Sequence, residues 1–182
     1  MSRAFVSDSD GQFDDDDIPE FHNPLPPGAK NYMTPQGAER LKNELRELSE
    51  KTRPEVLSEL SRVGGGSSNP ERNAIFAHRR RLREIDLRIT YLSELARNLE
   101  VVDPTRQDPS RVAFGATVTV EQEGEERSYR IVGVEESDPA SGAVSWISPI
   151  AKALITKHPG ETVVLKLPNG DARIKILKVE YR

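Results

Sequence analysis

The clearest hydrophobic pattern in the chain is a heptad stripe in residues 82–99. Its members alternate at spacings of three and four residues: Leu82, Ile85, Ile89, Leu92, Ala96 and Leu99. That spacing is typical of a helix packed along a second helix in a coiled coil. A weaker stripe precedes it, formed by Leu41, Leu45, Leu48, Val56, Leu60 and Val63. The two stripes predict two helices that pair along their length.

Turn and cap residues divide this helical region. Thr34 before Pro35 is typical of a helix N-cap followed by proline at the first helical position. Pro54 is expected to kink or locally reset the first helix. Between the stripes lies the glycine- and serine-rich segment 64–70, which predicts a turn. Residues 34–103 are therefore predicted to form an antiparallel coiled-coil hairpin, with arms about 45 Å long.

The pattern changes toward a period of two in the last part of the chain. Residues 117–120 and 129–134 flank Glu123-Gly124-Glu125 and predict a β-hairpin. Further strands are predicted at residues 142–147, 161–167 and 173–181, with a turn at Asn169-Gly170. Ser148 followed by Pro149 predicts the start of a short helix. Residues 104–182 thus form a predicted β-rich domain, and the fold class is α+β.

The N-terminal segment is distinguished by its excess of acidic residues. Residues 1–33 contain seven acids, among them Asp14–Asp17, against two bases, and they also contain four prolines. Such a segment buries too little apolar surface to offset its ordering entropy, so it is predicted to be a disordered acidic tail. The tail then acts as solubilising charge, or as an acidic arm that touches a basic surface on this chain or on a partner.

Composition excludes several classes of function. The chain has no cysteine, so disulfides, thiol nucleophiles and cysteine zinc sites are absent. Its three histidines are separated in sequence, and the segment Gly64–Gly66 lacks the Lys and Ser/Thr of a P-loop. No stretch approaches the ~18 apolar residues of a membrane span. We expect a cytoplasmic monomer that is not itself an enzyme and does not bind a membrane.

A cluster of arginines follows the predicted turn: Arg72, Arg79, Arg80, Arg81 and Arg83. Spacings of seven and four place Arg72, Arg79 and Arg83 on one face of a helix. Such a face can follow the phosphates of a nucleic acid. The alternative is a solvated helix face whose charge is balanced by acids such as Glu71 and Glu84.

Several short segments occur in a fixed order along the chain: KNYMTPQG at 30–37, RPE at 53–55, RLREID at 81–86, FGATV at 114–118, IVGV at 131–134, SPIAKAL at 148–154 and VEY at 179–181. Together they resemble the GreA/GreB family of bacterial transcript-cleavage elongation factors, on the GreB side, over about residues 30–182. The resemblance implies an N-terminal coiled-coil hairpin and a C-terminal FKBP-like domain. It also implies that this domain docks at the rim of the secondary channel of RNA polymerase, while the hairpin tip reaches the polymerase active site.

The resemblance further implies roles for particular residues. In the family, an Asp and a Glu three residues later help to hold a second Mg²⁺, with which the polymerase hydrolyses its own backtracked RNA. Glu71 matches the Glu, and is thus the implied metal ligand, while Ser68 stands at the Asp. A register shifted by one residue would remove the match at Glu71. The arginine cluster matches a basic patch that steadies the backtracked RNA 3′ end. Candidate contacts with the polymerase are Glu136, Asp138, Pro139, Ser148 and Pro149.

The tip departs from the family pattern, because Glu71 is the only carboxylate between Glu59 and Glu84. Replacing a carboxylate by serine removes a charge beside the cation, which costs on the order of a few kcal/mol of attraction. We therefore expect cleavage stimulation to be weak or lost. A fully cleavage-competent GreB-type factor and an inhibitory, channel-occupying regulator are the alternatives. The missing charge could also come from Asp14–Asp17, if the tail spanned the length of the hairpin.

Two functions of other classes remain open on sequence alone. A peptidyl-prolyl isomerase or chaperone is suggested only by the FKBP-like domain, whose aromatic residues are Phe114, Tyr129, Trp146 and Tyr181. A structural coiled-coil adaptor with no polymerase role is the other. A proline-isomerisation assay and co-purification with RNA polymerase discriminate between them.

Overall fold

Residues 21–63, 68–167 and 170–181 are described by the computed structural model of the chain. A helical hairpin comes first and a five-stranded sheet follows it. The predicted α+β class, a hairpin followed by a β-rich domain, is thereby confirmed. No helix within these ranges is long and apolar enough to cross a membrane.

The first arm of the hairpin has three parts: α1 (Pro35–Glu47), a π-helical segment (Leu48–Thr52) and α2 (Arg53–Arg62). Thr34 caps α1, as predicted, and its hydroxyl accepts from the N–H of Gly37 at 3.1 Å. The disturbance expected at Pro54 takes the form of the π-helical segment, in which the N–H of Arg53 donates to the carbonyl of Leu48. Proline has no N–H to offer the preceding turn, so the helix changes its hydrogen-bond register there.

The second arm is one helix, α3 (Asn69–Arg97), about 43 Å long at ~1.5 Å per residue. Within the predicted heptad stripe, Ile85 and Leu92 are buried, whereas Leu99 lies beyond the helix end. No residue of α3 on the tip side of Ile85 is buried. The buried residues of α3 therefore lie toward the base of the hairpin. The core there is formed by Met33, Ala38, Leu41, Tyr91, Leu92 and Leu95.

A parallel strand pair closes the base of the hairpin. β1 (Asn31–Met33) pairs with β2 (Leu99–Val101). The sequence prediction placed residues 31–33 in the acidic tail, but Met33 is buried in the base core. Three residues are too few to display a period of two, and their partner strand lies far along the chain. Their structure is therefore set by tertiary pairing rather than by a local pattern.

The β-rich domain is one mixed sheet with a short helix. Its elements are β3 (Ala116–Gln122), β4 (Glu125–Val132), β5 (Ala143–Ser145), α4 (Pro149–Leu154), β6 (Thr162–Leu167) and β7 (Gly170–Tyr181). The strand order is β5-β4-β3-β7-β6, and β4–β5 is the parallel pair among otherwise antiparallel neighbours. Glu123 and Gly124 both have positive φ, as a two-residue hairpin turn requires. Asn169, in the other predicted turn, lies outside the described residues.

Most of the predicted acidic tail, residues 1–20, also lies outside the described residues, so its disorder stays a prediction. The described part begins against the hairpin. The ring of Phe21 packs on that of Tyr91, with centroids 5.5 Å apart, and Leu25 packs on the base core. The first described residue therefore contacts the hairpin on the side of α3, at Tyr91.

Candidate functional site

The described tip begins at Ser68, the N-cap of α3. The Ser68 hydroxyl donates to Oε2 of Glu71 at 2.6 Å, and the Ser68 backbone N–H donates to the same oxygen at 3.3 Å. These two hydrogen bonds, the hydroxyl one foremost, hold the pKa of Glu71 below its ordinary value. Ser-x-x-Glu is the pattern of a helix capping box, and the carboxylate also complements the positive end of the helix dipole. The pair thus forms a cap at the tip.

The residues present do not fit a magnesium site built on two carboxylates. Mg²⁺ favours carboxylate and water oxygens, but positions 68 and 71 supply one carboxylate, with one of its oxygens already bonded to Ser68. The sequence has no further acid between Glu59 and Glu84. Within the part of the chain that the structure describes, no three His, Asp or Glu side chains form a group that could hold a metal.

All five arginines of the predicted cluster are exposed on α3. Glu84 pairs with Arg80 at 3.2 Å, so the alternative of a charge-balanced face holds at that position. Asp86 instead pairs across the hairpin with Arg53 at 2.6 Å. At 100° per residue, Arg81 projects about half a turn away from the face of Arg72, Arg79 and Arg83. Arg72, Arg79, Arg80 and Arg83 therefore form one broad basic face, and Arg81 lies on the opposite side of α3.

Four of the five predicted docking residues flank the short strand β5. Before the strand, Asp138 accepts from the N–H of Ala140 at 3.2 Å and caps a turn that begins at the exposed Pro139. After it, the Ser148 hydroxyl accepts from the N–H of Ala151 at 3.3 Å and caps α4, whose first residue is the exposed Pro149. The sheet edge thus brings the two predicted segments into one region. Their role in docking stays a prediction.

Glu136, the fifth of these residues, is engaged inside the chain. Its side chain is 4% exposed. Oε2 accepts from the N–H of Thr34 at 2.9 Å and from the N–H of Gly133 at 3.0 Å, and Oε1 accepts from the Thr34 hydroxyl. The carboxylate therefore caps α1 from the β-rich domain and joins the two parts of the molecule, rather than being presented to a partner.

Two glycines make room for this contact. A Cβ at Gly37 would overlap the carboxyl group of Glu136. A Cβ at Gly133 would lie 2.7 Å from Oε2 of Glu136 and 2.7 Å from the carbonyl of Tyr32. Both glycines lie in segments that carry the resemblance, and the close approach at the junction gives the physical reason for a missing side chain at each.

A second junction cluster adjoins the first. Arg88 donates to Glu44 at 2.7 Å and to Glu135 at 2.8 Å, and the Tyr91 hydroxyl donates to Glu135 at 2.7 Å. Burial, followed by the bond to Glu135, raises the pKa of Tyr91. Sequence reasoning did not find these contacts, because no local pattern links partners so far apart. The capping box of Ser68 and Glu71, in contrast, was readable from the Ser-x-x-Glu spacing.

Aromatic residues of the β-rich domain meet the hairpin base. Tyr32 of β1 packs on Trp146, with centroids 5.3 Å apart, and on Phe114, with centroids 6.1 Å apart. The three rings also line an open cleft of about 890 Å³, together with residues that include Arg106, Arg111 and Lys152. Phe114 and Trp146, considered above as possible lining of an isomerase pocket, are thus partly covered by the other part of the molecule.

Comparison with known proteins matches almost the whole described chain. The family model described as transcription elongation factor, N-terminal, matches residues 31–101. The model described as transcription elongation factor, GreA/GreB, C-term, matches residues 107–181. The boundary between the two models falls between β2 and β3, where the hairpin ends and the sheet begins.

Individual relatives are similar over most of the chain. Transcription elongation factor GreB of Neisseria meningitidis serogroup B is 42% identical over 154 residues, which cover 84% of this chain and 94% of that protein. Transcription elongation factor GreA of Helicobacter pylori strain 26695 is 37% identical over 155 residues, with the same coverage. The solved GreA/GreB factor from Nitrosomonas europaea has a TM-score of 0.38 and 25% identity, covering 84% of this chain and 100% of that chain. The chain belongs to the GreA/GreB family of transcription elongation factors.

Proposed function

We propose that this protein binds RNA polymerase and inserts its hairpin into the secondary channel, acting there on backtracked or paused complexes. Membership of the family supports the assignment. The shape of the chain agrees with it, since the hairpin has its core at the base and no buried residue of α3 beyond Ile85 toward the tip. The contacts of Glu135 and Glu136 fix the base of this probe to the β-rich domain, which would anchor on the polymerase.

The second part of the proposal is that cleavage stimulation is weak or lost. One observation carries it: the Ser68 hydroxyl, at the position of the family's tip aspartate, donates to Glu71. A hydroxyl in that position contributes no charge, and it also occupies an oxygen of the one carboxylate that remains. The factor would then act by occupying the channel, and it would be an accessory to the polymerase rather than an enzyme. A Mg²⁺ shared with the polymerase has no carboxylate pair to bind here.

The arginine face of α3 supports a role in holding RNA. Its arginines are exposed on the tip half of the helix, where the extruded 3′ segment of backtracked RNA would lie. Guanidinium groups bind phosphates through charge-assisted hydrogen bonds that need no particular base. The RNA contact is therefore expected to be insensitive to sequence and to weaken as salt rises.

The cleavage assay tests the tip directly. A stalled, backtracked elongation complex with Mg²⁺ is mixed with the unaltered protein, with Ser68→Asp or with Ser58→Asp, which adds the same charge at an exposed site on α2. We expect little release of 3′ RNA fragments except with Ser68→Asp. With that variant the release should rise about tenfold, which corresponds to a decrease of ~1.4 kcal/mol in the activation free energy of cleavage. Robust release by the unaltered protein would establish the cleavage-competent alternative.

Binding to the polymerase is tested separately, without reference to cleavage. The unaltered protein is expected to co-sediment with RNA polymerase and to reduce cleavage by a competent GreB factor in proportion to its concentration. Asp138→Asn is expected to weaken this binding, whereas Asp171→Asn, an exposed acid on β7, serves as the matched control. Absence of co-sedimentation would contradict the channel proposal and favour the adaptor.

A further inference from the structure

The cleft between the hairpin base and the β-rich domain has the size and lining of a small-molecule site. One wall comes from β1 and β2 of the hairpin base, and the rest comes from the β-rich domain and the segment that leads into it. Its volume of about 890 Å³ lies within the range of roughly 300–1,000 Å³ that is usual for ligand sites. Three rings form what we call the aromatic cluster: Tyr32, Phe114 and Trp146. The functions described above make no use of this cleft.

The two acids that line the cleft are engaged by neighbouring residues. Glu100 of β2 forms an ion pair with Lys30. Asp103 accepts from the hydroxyl of Thr105 at 2.7 Å and pairs with Arg106 at 3.5 Å. Both carboxylates therefore already have cationic partners, and the remaining bases of the lining give it an excess of positive charge.

Those remaining bases are Arg111 and Lys152, and both are exposed. Within the ranges that the structure describes, neither of them forms an ion pair. The pKa of Asp108 is lowered mainly by hydrogen bonds from Ser110 and only in small part by the charge of Arg111, so this acid influences Arg111 without pairing with it. A guanidinium and an ammonium group in one cleft are the side chains that bind phosphate oxygens most readily.

The backbone of Thr156 is strained where it lines the cleft. Its φ is +73°, a left-handed conformation that a β-branched residue rarely adopts. Strain of this kind is concentrated at ligand sites and other functional positions. The N–H of Thr156 donates to the carbonyl of Val112 at 2.8 Å, which places the exposed Thr156 beside the segment that carries Arg111. A hydroxyl donor thus accompanies the two bases.

The indole of Trp146 has an incomplete hydrogen-bond complement. Its Nε1 is buried, and its N–H has no acceptor in the described part of the chain. Buried polar groups in native proteins are almost always paired, so an unpaired donor in the wall of a cleft calls for an explanation. A cleft that a polar ligand enters and leaves provides one, because its wall is adapted to the occupied state.

We propose that this cleft binds a nucleoside phosphate. Arg111, Lys152 and the hydroxyl of Thr156 hold the phosphate group, and the base packs on the aromatic cluster. Stacking of bases on aromatic side chains does not require a particular base, so the site selects the class of ligand rather than one nucleotide. Since Tyr32 belongs to the hairpin base and the other groups to the β-rich domain side, the ligand also bridges the two parts of the molecule.

This site is separate from the surface proposed to hold RNA. The cleft adjoins β2, which follows the end of α3, whereas the arginine face lies on the tip half of that helix. An acidic segment of another protein is the other occupant that the positive charge would suit. The aromatic cluster favours the nucleotide, because a planar base uses the rings and a phosphate uses the bases. The proposal does not depend on the role in transcription.

Tryptophan fluorescence tests binding directly, because Trp146 is the only tryptophan of the sequence. Adenosine diphosphate added to the full chain should change the emission in a saturable way and should shift the single indole N–H signal in an NMR spectrum. Adenosine and inorganic pyrophosphate, which each carry one half of the ligand, should bind at least about tenfold more weakly. Pyrophosphate or adenosine as tight as the nucleotide, or no saturable change, would overturn the proposal.

Charge-removing variants test the phosphate contact. Arg111→Gln/Lys152→Gln should weaken the binding of adenosine diphosphate about tenfold or more, since each substitution removes a charged hydrogen-bond donor. The control, Arg173→Gln/Lys175→Gln, removes the same charge from exposed positions on β7 and should change affinity by less than about twofold, because distant exposed charges are screened by salt. Equal losses in the two double variants would show general attraction of anions and contradict a defined site.

Thr156 allows a binding role to be distinguished from a structural one. Thr156→Gly removes the hydroxyl and relieves the strain at positive φ, so we expect weaker nucleotide binding without a lower thermal unfolding temperature. Thr156→Ser keeps the hydroxyl and should keep the affinity. Unchanged affinity of the glycine variant would overturn the phosphate contact. A fluorescence change with a glutamate-rich peptide, but none with adenosine diphosphate, would make the cleft a protein-docking site and refute the nucleotide proposal.

Discussion

The backbone N–H and the hydroxyl of Thr34, which caps the first helix of the hairpin, both donate to the carboxylate of Glu136 in the β-rich domain. A single buried side chain thus caps one helix and joins the two parts of the molecule. Its negative charge lies at the positive end of the helix dipole, and a backbone N–H of its own domain completes its hydrogen bonding. This contact joins the hairpin base to the β-rich domain together with the contacts of Glu135 to Arg88 and Tyr91.

Glu136→Gln is expected to destabilise the protein. The amide offers one acceptor oxygen where the carboxylate has two, and the interaction with the helix end loses its charge. Hydrogen bonds to charged groups are worth about 1.5–3 kcal/mol, so a loss of that order in the free energy of unfolding is expected in urea denaturation. Glu125→Gln, an exposed acid on β4, should change it by no more than about 0.5 kcal/mol. Equal effects of the two substitutions would contradict the capping role.

Gly37→Ala is expected to lower the stability of the protein, opposite to the usual effect of this substitution in a helix. In an ordinary helix position alanine is more stable than glycine by about 1 kcal/mol. At position 37 the new Cβ would overlap the carboxyl group of Glu136, so we expect a lower thermal unfolding temperature and altered amide shifts at Thr34 and Gly133. Gln36→Ala, at the exposed neighbouring position, should be close to neutral. A stabilised Gly37→Ala protein would show that the junction opens without cost.

Tyr91→Phe is expected to reduce stability near neutral pH and to flatten its dependence on alkaline pH. The pKa of Tyr91 is raised in the folded state, so the protonated phenol favours folding, and that contribution is lost as pH rises above the tyrosine value of the unfolded chain. Denaturant midpoints measured between about pH 8 and 11 should therefore fall less steeply in the variant. A parallel decline in both proteins would contradict the coupling of Tyr91 to Glu135.

The cap at the tip is expected to fail in acid. The pKa of Glu71 is lowered by the hydrogen bonds from Ser68, so its contribution to the cap is present above the ordinary glutamate pKa and is lost as pH falls through the lowered value. A carbon-detected NMR titration of the Glu71 carboxyl should report that lowered pKa. Ser68→Ala, which removes the main cause, should move the pKa back upward, while Ser61→Ala should leave it unchanged. An unshifted titration in the unaltered protein would rule out the capping box.

Local patterns in the sequence were enough for most of the elements. The cap at Thr34 and the period-two strands depend on neighbours within a few residues, and so does the α+β class. The turn predicted at Gly64–Gly66 lies outside the described residues and stays a prediction. The arginine face of α3 follows equally from helical spacing. The capping box could also have been predicted from the Ser-x-x-Glu spacing, although that spacing was interpreted only as a departure from a family motif.

Contacts between distant residues required the tertiary structure. β1 is three residues long and has no pattern of its own, and its strand partner β2 follows the second arm of the hairpin in sequence. Glu136 belongs to an acidic loop, which suggested an exposed docking residue, yet its carboxylate is buried under Thr34. Sequence by itself determined which segments are helix, strand and charged face, because those depend on local periodicity. The fold decided which charges face solvent and which join the two parts, because burial depends on residues that only folding brings together.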